Sequence, residues 1–390
     1  MMDKYDVIVL GLGAAGSATL FQLATRGVRV LGIDQFAPPH TLGSTHGETR
    51  VTRLAIGEGA HYTPLAVRSH EIWRELEAET GATLLTTNGG LIISGASNGS
   101  PFHGASFFST TVEAARRHSI DHELLDAKEM RRRFPQFAVT DQEVGYFERS
   151  AGFVRPEACI RAQLNLAEFR GADIRCHEKV RQFEESGDGV IVTTGTDRYL
   201  ADKLIVAAGP WLPELLTANY ARHFKVYRQI LYWFDIEPQY DAFTPEKFPI
   251  FIWELPQGRG GLYGFPAIDG PKGGFKIATE QYESATSPDA VDRDVSAAET
   301  SRMYRDFVEP YFPGVAPRCT KSAACLYTVT NDFGFVVGRY PGHERVIIAS
   351  PCSGHGFKHS AALGEAISDL TMGTSSRFDL SAFGFARFER

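Results

Sequence analysis

Between residues 11 and 16 the chain reads Gly-Leu-Gly-Ala-Ala-Gly, directly after the apolar run Val7–Leu10. Glycines at this G-x-G-x-x-G spacing bare the backbone N–H groups of a helix start, where the helix dipole also draws an anion. The chemistry on offer is capture of a pyrophosphate. Asp34 lies 18 residues beyond Gly16, at the end of the next apolar run, where a carboxylate accepts hydrogen bonds from ribose hydroxyls. Gly11, Gly13, Gly16 and Asp34 are therefore candidate ligands of a dinucleotide. NAD and FAD use the same cradle. An NAD dehydrogenase usually completes its nucleotide domain early in the chain, whereas here residues 38–55 read PPHTLGSTHGETRVTRLA, a polar, glycine-containing loop suited to lie against a flavin ring.

Five cysteines, Cys159, Cys176, Cys319, Cys325 and Cys352, form no C-x-x-C pair and are odd in number. They suggest neither a disulfide framework nor a zinc site, and no His cluster has metal spacing, so no metal is expected.

These residues need a frame. Asp6 to Asp34 reads as one βαβ unit: strand Val7–Leu10, a helix from about Ala15 to Arg26, Gly27 as its stop, and strand Val28–Ile33. The segment YLADKLIVAAG at 199–209 holds a buried strand, Leu204–Val206, running into the turn Gly209-Pro210-Trp211, and Gly209 and Trp211 are expected to border the cofactor. Between Val226 and Ile277 aromatic-rich runs, Tyr227–Phe234 and Phe248–Trp253, suggest a mostly antiparallel sheet. Arg345–Ala349 then reads as another buried strand, Ser353–Gly356 as a glycine turn, and Ser360 to Leu370 as a helix. The return of strand–turn–helix chemistry after an intervening sheet implies an α/β fold whose Rossmann-type FAD-binding domain is discontinuous. The expected division is 1–90, 150–222 and 322–390 for that domain, with an inserted mixed-sheet substrate domain at 91–149 and 223–321.

Bulk composition excludes other classes. With 40 basic and 47 acidic residues in 390, net charge −7, the chain lacks the electrostatic footprint of a nucleic-acid binder. No apolar stretch approaches the roughly 18 residues of a membrane span, and the N-terminus carries Asp3 and Asp6 rather than a cationic leader. A soluble, unexported, cytoplasmic protein is expected, a monomer or weak oligomer. Gly95 to Ser109 reads as a loop, and Arg131 to Arg133 as a solvated helix end.

At the glycine-containing loop a resemblance becomes specific. Pro39-His40-Thr41, Gly43 through Arg50, and Arg53 resemble the monomeric sarcosine oxidase and N-methyltryptophan oxidase family of D-amino-acid-oxidase-like flavoproteins. So do GEGAHYTPLAVRSHEIW at 57–73, YGFP at 263–266, the segment around Lys276, Cys325-Leu326-Tyr327-Thr328, and SGHGFKHS at 353–360, so that the likeness covers essentially the whole chain. The resemblance implies FAD, held covalently through a thioether from Cys325 to the flavin 8-methyl carbon, with Cys352 as the competing thiol. It implies cofactor contacts from Ser44, Thr45, Thr49, Arg50, Gly354, Gly356, Phe357 and Lys358. It places Lys276 near the reactive edge of the flavin, where a cation favours electron transfer to O₂. Arg53 and Lys358 match the family's pair that clamps the substrate carboxylate, and Tyr263 and Tyr327 match tyrosines lining the substrate cavity. Where the family has a histidine this chain has Glu280, which could pair with a neighbouring cation or favour a substrate with an extra positive group. His355 is expected to hydrogen-bond its turn rather than act as a base.

The activity implied is oxidation of a small secondary, N-methyl or N-alkyl, amino acid: hydride passes to flavin N5, the imine hydrolyses, and O₂ returns the flavin to its oxidised form with release of H₂O₂. Two alternatives stand beside it, a flavin dehydrogenase using a quinone or protein acceptor and a catalytically silent flavoprotein sensor. An NAD dehydrogenase is third.

Overall fold

The computed structural model describes residues 4–95, 107–255 and 259–389. The loop expected over Gly95–Ser109 therefore falls mostly outside the described residues, and its last three, 107–109, already belong to a helix.

Two large sheets, their strands numbered along the chain, divide the work. The first has eight strands. Its centre is β1 (Lys4–Leu10), parallel to β2 (Val30–Ile33) on one side and to β12 (Arg198–Val206) on the other. β9 (Asp173–Arg175) continues in parallel beyond β2, and β20 (Val346–Ser350) lies parallel to the end of β12. Antiparallel partners finish the edges: β10 (Gln182–Ser186) on β11 (Gly189–Thr193) on β12, and β19 (Val336–Arg339) on β20. Val7, Ile8, Val9 and Leu10 are all buried, as a parallel strand covered on both faces requires.

Helices α1 (Ala14–Thr25), α2 (Thr63–Thr80), α5 (Pro156–Phe169) and α8 (Ser360–Met372) cover one face of this sheet. α1 is built almost wholly of small and aliphatic residues because it is buried on most sides. Gly364 of α8 sits so close to it that a Cβ there would stand 2.5 Å from the Ala18 carbonyl carbon. The shorter helices are α3 (Phe107–Arg117), α4 (Ala127–Arg133), α6 (Ala218–Ala221) and α7 (Ala297–Met303). Arg131–Arg133 do close α4, paired with Asp141, Glu129 and Glu123.

The second sheet has nine strands. It runs β17 (Ala285–Thr286), β13 (Phe224–Phe234), β16 (Phe275–Thr279), β15 (Gly261–Phe265), β14 (Ile250–Glu254), β5 (Gly90–Gly95), β7 (Glu143–Glu148) and β6 (Glu123–Leu125). Its pairs are antiparallel except β5 with β14. An aromatic core lies against it, with Phe137–Phe248, Phe251–Phe312 and Phe275–Phe312 ring centroids 4.8, 5.0 and 5.0 Å apart. Burying each such side chain contributes roughly 1.5–3 kcal/mol, and this explains the aromatic density of the expected strand segments.

β18 (Cys319–Thr330) pairs antiparallel along β13, so Cys325 and Tyr327 stand on this second sheet. The division expected at 321/322 falls inside that strand. The run CTKSAACLYTVT contains neither Gly nor Pro to break it, and its partner is nearly as long. A small sheet, β3 (Arg50–Thr52) on β8 (Gly152–Val154) on β4 (Leu85–Thr86), carries the loop between the two large ones.

Candidate active site

The turn after β1 needs its glycines for different reasons. At Gly11, φ +86°, a Cβ would lie 2.5 Å from the Ala207 carbonyl oxygen, and at Gly16 one would lie 1.7 Å from that of Gly11. These two are packing glycines. At Gly13 a Cβ would meet only Thr45 Oγ1, at 3.7 Å. Gly13 is also the N-cap of α1, with no side chain capping the free amides behind it. It faces a cleft of about 1370 Å³, part of it open to solvent. An uncapped, half-buried helix start opening on such a cleft fits a pyrophosphate. Asp34 braces the turn: its carboxylate accepts from Leu12 N and Phe36 N, each at 2.8 Å, and burial pushes its pKa up.

Ser44, Thr45, Arg50, Gly209, Trp211, Cys352, Gly354, Gly356 and Phe357 also line this cleft, as does Tyr327, whereas Gly16, Thr49, Lys276, Cys325 and Lys358 do not border it directly. Gly354, φ +82°, leaves the room that the Tyr327 ring takes, since a Cβ would stand 2.7 Å from it.

Behind the cleft wall sits the loop 44–50, pinned from both sides. Glu157, in the first turn of α5, accepts from Gly47 N at 2.6 Å and Glu48 N at 3.1 Å. Lys276 of β16 reaches over from the second sheet, its ammonium donating to Gly47 O at 2.5 Å, Thr49 O at 2.9 Å and Thr49 Oγ1 at 3.0 Å. Phe265 and Trp233 rings lie 4.5 and 5.3 Å from it. Burial, then Arg50, push the Lys276 pKa well below that of a free lysine, opposed by Glu157 and Glu48. Three oxygen acceptors match the three N–H of an ammonium. Arg50 donates to Thr49 O and Ser44 O, each at 2.9 Å, and its Nη2 is 3.6 Å from Cys325 Sγ. That sulfur lies 3.5 Å from Ser44 O. Cys352 Sγ instead lies 3.7 Å from Gly334 O.

Arg53 and Lys358, the two cations expected to clamp a carboxylate, meet at an acid that the sequence did not single out, Glu58. Arg53 Nη2 is 2.6 Å from Glu58 Oε2, and Lys358 Nζ is 3.2 Å from Glu58 Oε1. Arg53 also donates to Ala55 O and lies over the Phe107 ring, while Lys358 donates to His355 O at 3.0 Å. Both cations are buried, and burial lowers the Lys358 pKa to about 8 in spite of Glu58. Glu148 of β7 sets the loop by accepting from Leu54 N at 2.8 Å and Ala55 N at 3.1 Å. His355, expected to hydrogen-bond its own turn, instead has its Nε2 3.2 Å from Phe333 O, outside that turn, and its Nδ1 3.9 Å from Glu58 Oε1.

Between clamp and cleft, the Tyr263 and Tyr327 phenols are 3.2 Å apart. Burial keeps both protonated, with Tyr263 pushed up to about 12. Glu280 follows β16, next to Tyr282, whose phenol donates to it. Of the functional acids, Glu58 lay inside a recognised segment, while Glu148 and Glu157 carried no local signal, because loop-pinning acids are set only by tertiary contact.

The site can thus be compared with known proteins. Residues 6–370 match a family model described as FAD dependent oxidoreductase. The chain is 39% identical over 390 residues to monomeric sarcosine oxidase of a Bacillus species, covering 99% of this chain and 97% of the relative. It is 32% identical over 388 residues to N-methyl-L-tryptophan oxidase of Salmonella dublin, covering 99% and 100%. A solved structure described as NikD, an unusual amino acid oxidase essential for nikkomycin biosynthesis, superposes with a TM-score of 0.82 at 25% identity over 98% of this chain and 97% of that one. Full-length identity of this order, together with the glycine cradle and the family match, places the chain among the FAD-dependent oxidoreductases, in the monomeric sarcosine oxidase and N-methyltryptophan oxidase family.

Proposed function

We propose that this enzyme oxidises a small N-methyl or N-alkyl amino acid at the carbon beside the amine nitrogen and passes the electrons to O₂. The observation that carries the substrate class is Glu58. Arg53 and Lys358, 305 residues apart in sequence, close on one carboxylate. Two buried cations on a single acid are a receptor for a carboxylate, and the Glu58 side chain stands in for that of the substrate. An incoming amino acid exchanges with it, keeping both cations paired.

FAD, when bound, supplies the hydride acceptor and returns the electrons to O₂ as H₂O₂. The cradle residues Gly11, Gly13 and Asp34 would hold its pyrophosphate and ribose, with Ser44, Thr45 and Arg50 toward the ring. The chain's own contributions are positioning and electrostatics. Arg53 and Lys358 orient the carboxylate, Tyr263 and Tyr327 present a protonated phenol pair beside the amine, and the buried walls exclude water. No side chain need take the amine proton, because a free amine supplies its own lone pair. Lys276 holds a positive charge where reduction of O₂ creates a negative one. This supports O₂ as the acceptor.

Cys325 is the proposed point of covalent attachment. Arg50 Nη2 lies 3.6 Å from its Sγ, a cation set beside that sulfur. Acid-precipitated protein is expected to stay yellow, and Cys325→Ser to release the colour; release by Cys352→Ser instead overturns the assignment. The five cysteines are unpaired, which fits a reducing cytoplasm. Large apolar side chains are exposed at few described positions, Leu124, Val144, Phe169 and Met372 among them, in keeping with a monomer or weak oligomer.

A bleaching screen under argon with N-methyl amino acids tests the reading. Rapid loss of flavin absorbance, followed in air by stoichiometric H₂O₂, is expected. Bleaching with dye reduction but no H₂O₂ makes the protein a dehydrogenase, and no bleaching by any secondary amino acid removes the amine-oxidase reading.

A further inference from the structure

Glu280 is held in place more firmly than a strand-end residue requires. The buried Gln229 of β13 grips the next residue from both sides, accepting from Gln281 N at 2.9 Å and donating to Gln281 O. Tyr282 then donates to Glu280 while its ring packs edge-on against Tyr227 and Phe333, at 5.5 and 5.4 Å. Tyr263 stands opposite Ala278 across β15 and β16, two residues before Glu280, and the Tyr282 ring lies 6.5 Å from that of Tyr327, which sets the carboxylate on the side of the phenol pair.

At the clamp Arg53 and Lys358 share Glu58, and a substrate carboxylate that exchanges with Glu58 leaves both cations paired. The reacting amine must be neutral to give up hydride, so it brings no charge to meet Glu280, which stands on the side of the phenols in a partly dry site where charge is costly. A second positive group on the substrate would pair with Glu280, and an anionic side chain would be repelled by it.

We propose that Glu280 is a specificity-determining residue that selects secondary amino acids carrying a second positive charge, such as N-methylated diamino acids. The inference rests on the amine-oxidase reading and adds a substrate class to it.

The test compares Nα-methylornithine with N-methylnorvaline, which shares its carbon chain but lacks the terminal ammonium. Anaerobic stopped-flow gives the second-order rate of flavin bleaching for each. A preference for the cationic substrate of roughly tenfold is expected, the size of one partly solvated charge pair, falling to near parity in Glu280→Gln and in Glu280→His. In the unaltered enzyme the preference should also shrink as salt is raised to about 1 M, a readout that requires no variant to fold. Equal rates for the two substrates, or a preference that survives both substitutions and high salt, overturns the role of Glu280 while leaving the oxidase reading intact. Failure of both substrates to bleach the flavin overturns the two together.

Discussion

At Gly16 a single added methyl would stand 1.7 Å from a backbone oxygen, whereas at Arg53 and Lys358 long side chains from distant parts of the chain converge on one carboxylate. The proposed nucleotide cradle would work by leaving side chains out, and the proposed clamp by bringing them together. In the cradle a few consecutive residues and one following acid set the geometry, and backbone groups would make the contacts. In the clamp no residue is sufficient, because each cation is held by Glu58 and each is expensive to leave unpaired in the interior. Substitution should therefore act as all-or-none on the cradle and by degrees on the clamp.

The contrast breaks most visibly inside the cradle. Gly16→Ala forces a backbone clash that should cost about 3 kcal/mol or more, so melting temperature and flavin content fall together. Gly13→Ala has only Thr45 Oγ1 nearby, at 3.7 Å, and should melt near the parent as apo-protein while losing absorbance near 450 nm. Equal melting losses for the two would remove the distinction between packing and binding glycines.

At the clamp, Arg53→Ala and Lys358→Ala should each weaken carboxylate-bearing ligands by roughly 2–5 kcal/mol and a decarboxylated analogue far less. Titration of bound flavin spectra measures both. Equal losses on the two ligands would assign these cations to folding instead.

Lys276 belongs to neither region, since it ties the loop 44–50 to the second sheet. Lys276→Met should slow reoxidation by about 10²–10³ while reduction changes little, because only the first creates an anion beside the ring. Reduction collapsing with reoxidation intact would move Lys276 to substrate binding.

The smallest effect is in pH. Lys358 keeps its proton below about 8 and loses it above, because burial disfavours the cation. Affinity for carboxylate inhibitors should therefore be flat below that value and decline above it, while flavin reduction rises with pH as the substrate amine deprotonates. Lys358→Arg should extend the plateau to higher pH and leave the rising limb alone. A decline unchanged by that substitution would belong to another group.

How much of this could be read beforehand follows the same division. β1, α1, β2 and the glycine turn were legible because periodicity and spacing are local, and Asp34 because it follows at a set interval. Cys325, Lys276 and Lys358 were found only through family likeness, since a lone buried cation has no local signature. The acids that hold them in place, Glu58, Glu148 and Glu157, were missed because their partners are fixed by tertiary contact. The position of β18 was missed for a related reason: nothing within CTKSAACLYTVT tells which sheet it will join.

The seam between α1 and α8 carries a consequence for biosynthesis. Ala18 and Gly364 touch without room for a methyl, and the β20–α8 turn supplies Gly354, Gly356 and Phe357 to the cleft. A ribosome delivers residue 364 long after residue 18, so the nascent chain holds a pyrophosphate cradle with its opposite wall missing. Until that last helix emerges, α1 shows an apolar flank to water or to a chaperone. Capture of the flavin is therefore expected to follow completion of the chain, when both walls of the cleft are present.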